Sequence, residues 1–133
     1  MTVWLLSLPT IVAAQQIAIA EYPVPTQAAW TNWITAGPDG ALWFTFSTNI
    51  GRGTSSGAIT VYPLPLGSSD AGGITAGQDG ALWFTQTAVY SPFTDNIGRI
   101  TTAGVITEYP LPTASSSPVG ITAGPDEIGR AHV

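Results

Sequence analysis

The sequence predicts an all-β fold, an incomplete β-propeller, on three observations. The motif Ile-Thr-Ala-Gly-Pro-Asp-Gly-Ala-Leu-Trp-Phe-Thr at residues 34–45 returns with one change at residues 74–85 and begins again at residue 121. Apolar residues alternate in short runs rather than at helical spacing. Turn residues separate these runs every eight to twelve residues, which is typical of antiparallel sheets. A repeat of about forty residues with four such strands is a propeller blade.

The rest of each repeat returns at the same two offsets, 40 and 47 residues. Tyr-Pro-x-Pro occurs at residues 22–25, 62–65 and 109–112. Asn-Ile-Gly-Arg occurs at residues 49–52 and again 47 residues on. The seven extra residues therefore lie in the segment 86–95, which replaces the three residues 46–48 of the first repeat.

We expect four strands in the first blade, at residues 33–37, 41–46, 49–54 and 58–64. Pro38-Asp39-Gly40 supplies the fixed φ and then the positive φ of a tight turn between the first two. Pro63 and Pro65 place the fourth strand at an edge, where an amide has no ladder partner to lose. The blades then span about residues 33–65 and 73–112.

One further strand is predicted on each side of these two blades. Residues 17–24 are interpreted as a clasp strand that completes the last blade of a ring, and residues 119–126 as the start of a third blade. Rings need about four to eight blades to close. We therefore expect residues 15–126 to be an incomplete propeller whose open sheet edges promote self-association.

Both ends of the chain differ from the repeats. Residues 1–14 form a short apolar run with small residues before a cut at Gln15, which predicts a signal peptide and export. The alternatives are that this run is an apolar strand or a misassigned start; the protein would then be cytoplasmic. Residues 127–133 interrupt the third repeat and resemble the translation of a sequencing adapter. We interpret them as an artefact; a genuine divergent terminus is the alternative.

Composition restricts the partners. The net charge is −5, only 8% of residues are charged, and the chain has no cysteine. Nucleic acid is therefore not an expected partner, and neither a disulfide framework nor a thiolate metal site can form. The apolar run at the N-terminus is too short for a transmembrane helix, so no membrane partner is expected.

Several recurring side chains are predicted to be structural. Trp43 and Phe44, like Trp83 and Phe84, alternate between the two faces of a strand and should pack against both neighbouring blades. A sugar-binding aromatic platform is the alternative. Arg52 and Arg99 recur at the same blade position, which favours a tie between strands over substrate binding. Asp39, Asp79 and Asp126 are expected to be turn residues.

The repeats resemble the virginiamycin B lyase (streptogramin lyase) family. The resemblance rests on Ala-Leu-Trp-Phe-Thr at 81–85, Asn-Ile-Gly-Arg-Ile-Thr at 96–101, Ile-Thr-Glu-Tyr-Pro-Leu-Pro at 106–112 and Gly-Ile-Thr-Ala-Gly-Pro-Asp at 120–126. It implies a seven-bladed parent that opens the ring ester of streptogramin B antibiotics, cyclic peptide lactones, by elimination. It also implies Mg²⁺ as a Lewis acid and a histidine as the base.

No catalytic residue and no metal ligand are assigned in this chain. In the family a histidine precedes the first strand of late blades, and the corresponding residues here are Asn32, Gly72 and Val119. The only histidine is His132, within the predicted artefact. We therefore expect the fragment to be inactive and to bind no Mg²⁺.

Trp30, Asn32 and Trp33 are the candidate substrate-binding residues. Their counterparts in the third copy are Ser117, Val119 and Gly120, and the segment leads into the innermost strand at the channel mouth, where propellers bind ligands. Packing against the clasp strand is the alternative. The longer loop at residues 86–95 is a second candidate region, because long loops are often functional.

Two other functions stay open. One is a non-catalytic exported propeller that serves as a binding module. The other, weaker, is a lactone-hydrolysing propeller, which would need several acidic metal ligands on its innermost strands, and residues 34–37 and 74–77 offer none.

Overall fold

The computed structural model describes residues 20–25, 30–65, 69–88 and 94–125. The predicted signal peptide, the tail at 127–133 and the middle of the inserted loop lie outside these residues. The described chain contains eight β-strands and no helix. Among the described residues, no helix is long and apolar enough to span a membrane.

Blade 1 is a four-stranded antiparallel meander. Its strands are β1 (Thr31–Ala36), β2 (Leu42–Phe46), β3 (Asn49–Gly53) and β4 (Ile59–Pro63), in the order β1-β2-β3-β4. The predicted β1–β2 turn forms as the Pro-Asp-Gly sequence requires, with Gly40 at φ 76° and its amide donating to Gly37 O at 3.1 Å.

Blade 2 repeats this arrangement. Its strands are β5 (Asp70–Ala76), β6 (Ala81–Thr87), β7 (Asn96–Thr101) and β8 (Ile106–Pro110), in the order β5-β6-β7-β8. The two four-stranded sheets confirm the predicted fold class. They follow from alternating apolar residues and from turns that return each strand beside the one before it.

The core lies between the two sheets. We call the sheet face that carries Phe44 or Phe84 the upstream face of its blade, and the face that carries Trp43 or Trp83 the downstream face. The downstream face of blade 1 packs against the upstream face of blade 2. The buried cluster between them consists of Ala41, Trp43, Ile50, Leu64, Ala71, Ile74, Leu82, Phe84 and Ile100.

The four aromatic residues predicted to be structural lie on these faces, but they are not equally buried. Trp43 and Phe84 are fully buried in the interface between the blades, and Phe44 is 8% exposed on the upstream face of blade 1. Trp83, on the downstream face of blade 2, is half-buried.

The two flanking segments differ from the predicted strands. Neither residues 20–24 nor residues 119–123 are in a strand. A strand is defined by ladder hydrogen bonds to a neighbour. Among the described backbone hydrogen bonds, these segments contribute the one from Gly73 N to Val119 O, at 3.0 Å. Residues 17–19 of the predicted clasp strand lie outside the described residues.

The N-terminal segment nevertheless occupies the position of an outer strand. Gly57 has φ 86°, and a Cβ there would overlap the ring of Tyr22. In blade 2, Gly104 has φ 89°, and a Cβ there would overlap the ring of Tyr62. Tyr22 therefore packs on blade 1 in the way that Tyr62, on the outer strand of blade 1, packs on blade 2.

Candidate functional site

One edge of the two sheets gathers the residues that the sequence singles out for binding. At this edge β1 begins, β2 ends, β3 begins and β4 ends, as the pairs Thr31 with Phe46 and Asn49 with Pro63 show. Blade 2 has the same arrangement. We call it the entry edge, because the innermost strands enter the sheets there.

The three candidate substrate contacts lie at the entry edge in two different environments. Trp30 is 86% exposed and Trp33 is 49% exposed. Asn32 instead donates from Nδ2 to the carbonyl oxygen of Ala71 at 2.9 Å. The structure therefore leaves two indole rings accessible and uses the amide between them to link blade 1 to blade 2.

A threonine in each blade makes a second link to the chain that follows. Thr45 Oγ1 donates to Gly72 O at 2.7 Å, and Thr85 Oγ1 donates to Val119 O at 3.1 Å. Both threonines are fully buried. Sequence reasoning missed this role, although the recurrence of threonine at the same position of both repeats was a usable signal.

Asp95 organises the entry edge of blade 2 and was also missed. Its Oδ1 accepts from Ala88 N at 2.7 Å, and its Oδ2 accepts from Ser117 N at 2.8 Å and from Ser116 Oγ at 3.1 Å. These backbone amides, outweighing the cost of burial, hold the pKa of the Asp95 carboxyl below its usual value. The carboxylate joins both ends of the inserted loop to the connection before residue 118.

The connection that Asp95 holds is in an unusual backbone conformation. Ser115 and Ser117 have φ values of 53° and 46°, in the left-handed region. For a residue other than glycine this conformation costs on the order of 1–3 kcal/mol and persists where surrounding contacts fix it. The hydrogen bonds to Asp95 are such contacts.

A partly buried polar pair, Gln86 and Glu108, lies on the upstream face of blade 2. Gln86 is fully buried and donates from Nε2 to Glu108 Oε1 at 2.7 Å. Its Oε1 has no hydrogen-bond partner. The corresponding residues of blade 1 are Phe46 and Val61, so blade 2 has a polar pair where blade 1 is apolar.

The opposite edge carries the same cluster twice. Asp39 accepts from Trp43 Nε1 at 2.9 Å and from Arg52 Nε at 2.6 Å. The Arg52 guanidinium lies 5.9 Å from the centroid of the Trp43 ring, and the Tyr62 ring stacks on Trp43 with centroids 5.6 Å apart. Burial raises the pKa of the Asp39 carboxyl, but the hydrogen bonds from Trp43 and Arg52 outweigh it and lower the pKa.

In blade 2 the cluster is built by Asp79, Trp83, Arg99 and Tyr109. Arg99 Nε donates to Asp79 Oδ2 at 2.8 Å and Trp83 Nε1 to Oδ1 at 3.2 Å. In both blades the arginine on the third strand therefore links to the aspartate in the turn between the first two strands, at the edge opposite the entry edge. Both aspartates therefore do more than form a turn.

The described residues do not fit a Mg²⁺ ion. No group of three or more His, Cys, Asp or Glu side chains lies together in the described part of the chain. Mg²⁺ prefers oxygen ligands in octahedral geometry, whereas the carboxylates of Asp39, Asp79 and Asp95 already accept hydrogen bonds from the protein.

Two stacked four-stranded meanders, joined by links that recur from blade to blade, define the class: the chain forms consecutive blades of a β-propeller. The sequence model of the virginiamycin B lyase family matches residues 12–91. The chain belongs to the virginiamycin B lyase family.

Solved structures give the same result. Selenomethionine-substituted virginiamycin B lyase from Staphylococcus aureus is 44% identical with a TM-score of 0.76, covering 83% of this chain and 36% of that one. A catalytically inactive variant of the S. aureus enzyme, solved with quinupristin, is 42% identical with a TM-score of 0.76, covering 86% of this chain and 38% of that one. The chain thus spans little more than a third of these proteins.

A more distant structure shows the fold alone. It is a protein of unknown function from Bacteroides caccae, 16% identical with a TM-score of 0.56, covering 78% of this chain and 38% of that chain. Among curated proteins no match was found.

Proposed function

We propose that this chain supplies consecutive blades of an exported lyase that inactivates streptogramin B antibiotics by opening their ring ester. The observation that carries the proposal is the 42% identity, over 86% of the chain, to a virginiamycin B lyase that was solved with quinupristin. The proposed reaction is an elimination. A base removes a proton from the carbon next to the one that bears the ester oxygen, the C–O bond breaks, and the ester leaves as a carboxylate while a C=C bond forms.

The chain's own part in this reaction is to bind and to orient. The indoles of Trp30 and Trp33 at the entry edge offer flat apolar surface to a cyclic peptide lactone. Asn32 and Thr45 fix the strand that carries them through their hydrogen bonds to blade 2. Asp95 ties both described ends of the inserted loop to the adjoining connection 111–118.

By itself the chain is proposed to have no lyase activity. None of the three segments that lead into an innermost strand contains a histidine, so the imidazole base of the proposed reaction is absent from them. Mg²⁺ would act in the intact enzyme as a Lewis acid, but the described residues offer no group that fits it.

A chimera tests the proposal. Residues 20–125 replace the matching segment of the S. aureus lyase, and quinupristin is followed by mass spectrometry. We expect a ring-opened product of unchanged mass, because elimination adds no atoms, whereas hydrolysis would add one water. The 133-residue chain alone should leave quinupristin intact.

A folded chimera that neither binds nor opens quinupristin would overturn the proposal. The S. aureus enzyme with its own segment is the matched control for folding and turnover.

A non-catalytic binding module is the second candidate, favoured by the two exposed indoles at the entry edge. A chimera that binds quinupristin without opening it would favour this case, because these blades would then hold the lactone out of reach of the reacting groups in the S. aureus segment.

A further inference from the structure

The upstream face of blade 1 is an open apolar surface. Ile34 is 63% exposed and Leu42 is 52% exposed. Together with Tyr22, Phe44 and Ile59 they line a groove of about 380 Å³. Exposed apolar patches of this kind, rimmed by polar residues, mark sites of association.

Blade 2 shows what covers such a face. Ile74 and Leu82 are the counterparts of Ile34 and Leu42, and they are only 6% and 0% exposed. They are buried in the same cluster as Trp43, which the downstream face of blade 1 supplies. The upstream face of a blade is therefore buried by a downstream face that contributes a tryptophan.

The groove of blade 1 is shaped for the same indole. Tyr62 stacks on Trp43 with centroids 5.6 Å apart and packs on Gly104. Tyr22 packs on Gly57 in the same way, so one wall of the groove is a tyrosine of the same kind. No tryptophan is among the described residues that line this groove.

The chain itself has one open face with the required side chains. The downstream face of blade 2 carries Trp83, Ile97, Tyr109 and Leu111, the counterparts of Trp43, Ile50, Tyr62 and Leu64. Tyr109 is 46% exposed, and the other three are half-buried. Both halves of a blade-to-blade interface are thus present, on opposite sides of one molecule.

We propose that the downstream face of blade 2 docks on the upstream face of blade 1 of a second copy. Trp83 enters the groove beside Ile34 and Leu42 of the second copy, as Trp43 lies beside Ile74 and Leu82 within one chain. The contact joins two different surfaces, so copies associate head to tail through their faces rather than their strand edges. This proposal does not depend on lyase function.

On docking, contacts that each copy makes with its own terminal segments are replaced by equivalent contacts with the second copy. Val119 O now accepts from Thr85 Oγ1 and from Gly73 N. In the assembly the carbonyl oxygen of Asn32 of the second copy accepts from Thr85, just as Gly72 O accepts from Thr45. Tyr109 likewise replaces Tyr22 over Gly57. Association is concentration-dependent because it joins separate molecules, and the displaced internal contacts lower its net free energy.

Mixing two single-face variants tests the proposal. Leu42→Glu places a charge on the upstream face, and Tyr109→Glu places one on the downstream face. Sedimentation velocity should show the unchanged chain forming species of at least twice 13.8 kDa. Each variant alone should remain a monomer, and an equimolar mixture should form a one-to-one dimer that does not grow further.

The mixture distinguishes head-to-tail docking from other kinds of association. If Tyr109→Glu alone still dimerises, the contact joins two like faces and the proposal is wrong. An unchanged chain that stays monomeric at high concentration overturns it as well, as does a mixture of the variants that stays monomeric.

Two controls separate docking from folding. Ala114→Glu, at an exposed position outside both faces, should associate like the unchanged chain. Circular dichroism establishes that each variant is folded. Ile34→Glu and Leu111→Glu form a second pair of variants with the same expected pattern. None of these measurements uses an antibiotic, so their outcome is independent of the quinupristin assay.

Discussion

The two blades carry nearly the same residues but bury opposite faces. Ile34 and Leu42 of blade 1 are exposed, whereas Ile74 and Leu82 of blade 2 are buried; Trp43 of blade 1 is buried, whereas Trp83 is not. The local sequence around each pair of residues is nearly the same, so the difference in exposure comes from which face of each blade packs against the other blade. One molecule therefore contains a buried and an exposed copy of the same interface residue, which allows direct comparison.

The largest effect is expected for the paired tryptophans. Trp43→Ala should lower the free energy of unfolding by about 3–5 kcal/mol, since it leaves a cavity in the interface between the blades. Trp83→Ala should cost about half of that, because its ring is already partly in water. Urea unfolding at low protein concentration measures both. Equal costs would contradict the comparison and would show that the downstream face of blade 2 is covered in solution.

The paired leucines sharpen the comparison on the other face. Leu82→Ala should lower the free energy of unfolding by about 2–5 kcal/mol, because Leu82 is fully buried. Leu42→Ala should cost less than about 1 kcal/mol, since more than half of that side chain is exposed. The same urea experiment applies, with Leu42→Ala as the matched control for the intrinsic effect of the substitution.

Asp95 breaks the symmetry between the blades, because Thr48 is its counterpart in blade 1. Asp95→Asn should cost about 1–3 kcal/mol at neutral pH, since an amide group then faces backbone donors. The folded pKa of Asp95 is lowered. Its contribution is therefore present above the unfolded pKa of about 4 and is lost as the pH falls through the folded pKa.

Thermal unfolding between neutral pH and pH 2 measures this contribution. The unchanged chain should lose more stability than Asp95→Asn in the acid range. Asp39 and Asp79, whose pKa values are also lowered, should leave some acid dependence in the variant. Parallel curves for the two proteins would mean that Asp95 does not contribute.

The smallest effect on stability is expected at the entry edge of blade 1. Trp30→Ala should change the free energy of unfolding by less than about 0.5 kcal/mol, because the side chain is almost fully exposed. In the chimera with the S. aureus lyase the same substitution should weaken binding of quinupristin several-fold. Unchanged binding, measured by calorimetry, would argue against a ligand contact at this position.

The repeat predicted the fold because it fixes both strand length and turn position. The strands Asn49–Gly53 and Ile59–Pro63 begin and end within a residue or two of the predicted ranges. Four separate motifs likewise predict membership of the lyase family, and the family model and the solved structures confirm it. Local patterns of this kind are visible in one sequence.

The candidate site was less predictable, because its contacts join residues distant in sequence. Asn32 was expected to face a ligand, but its amide reaches Ala71, 39 residues away. Asp95 has no counterpart of the same type in the first repeat, and its partners at 116 and 117 lie in a different connection. Such pairings depend on how one sheet stacks on the next, which periodicity does not specify.

The inserted loop has a consequence for protein engineering. Two residues separate the paired Phe46 and Asn49, and nine separate the paired Gln86 and Asn96. The ladder has the same register in both blades, because Phe44 pairs with Gly51 as Phe84 pairs with Gly98. The hairpin therefore accepts extra sequence without disturbing its strands. The connection between Thr87 and Asn96 is therefore a natural graft point for a foreign peptide or a reporter tag.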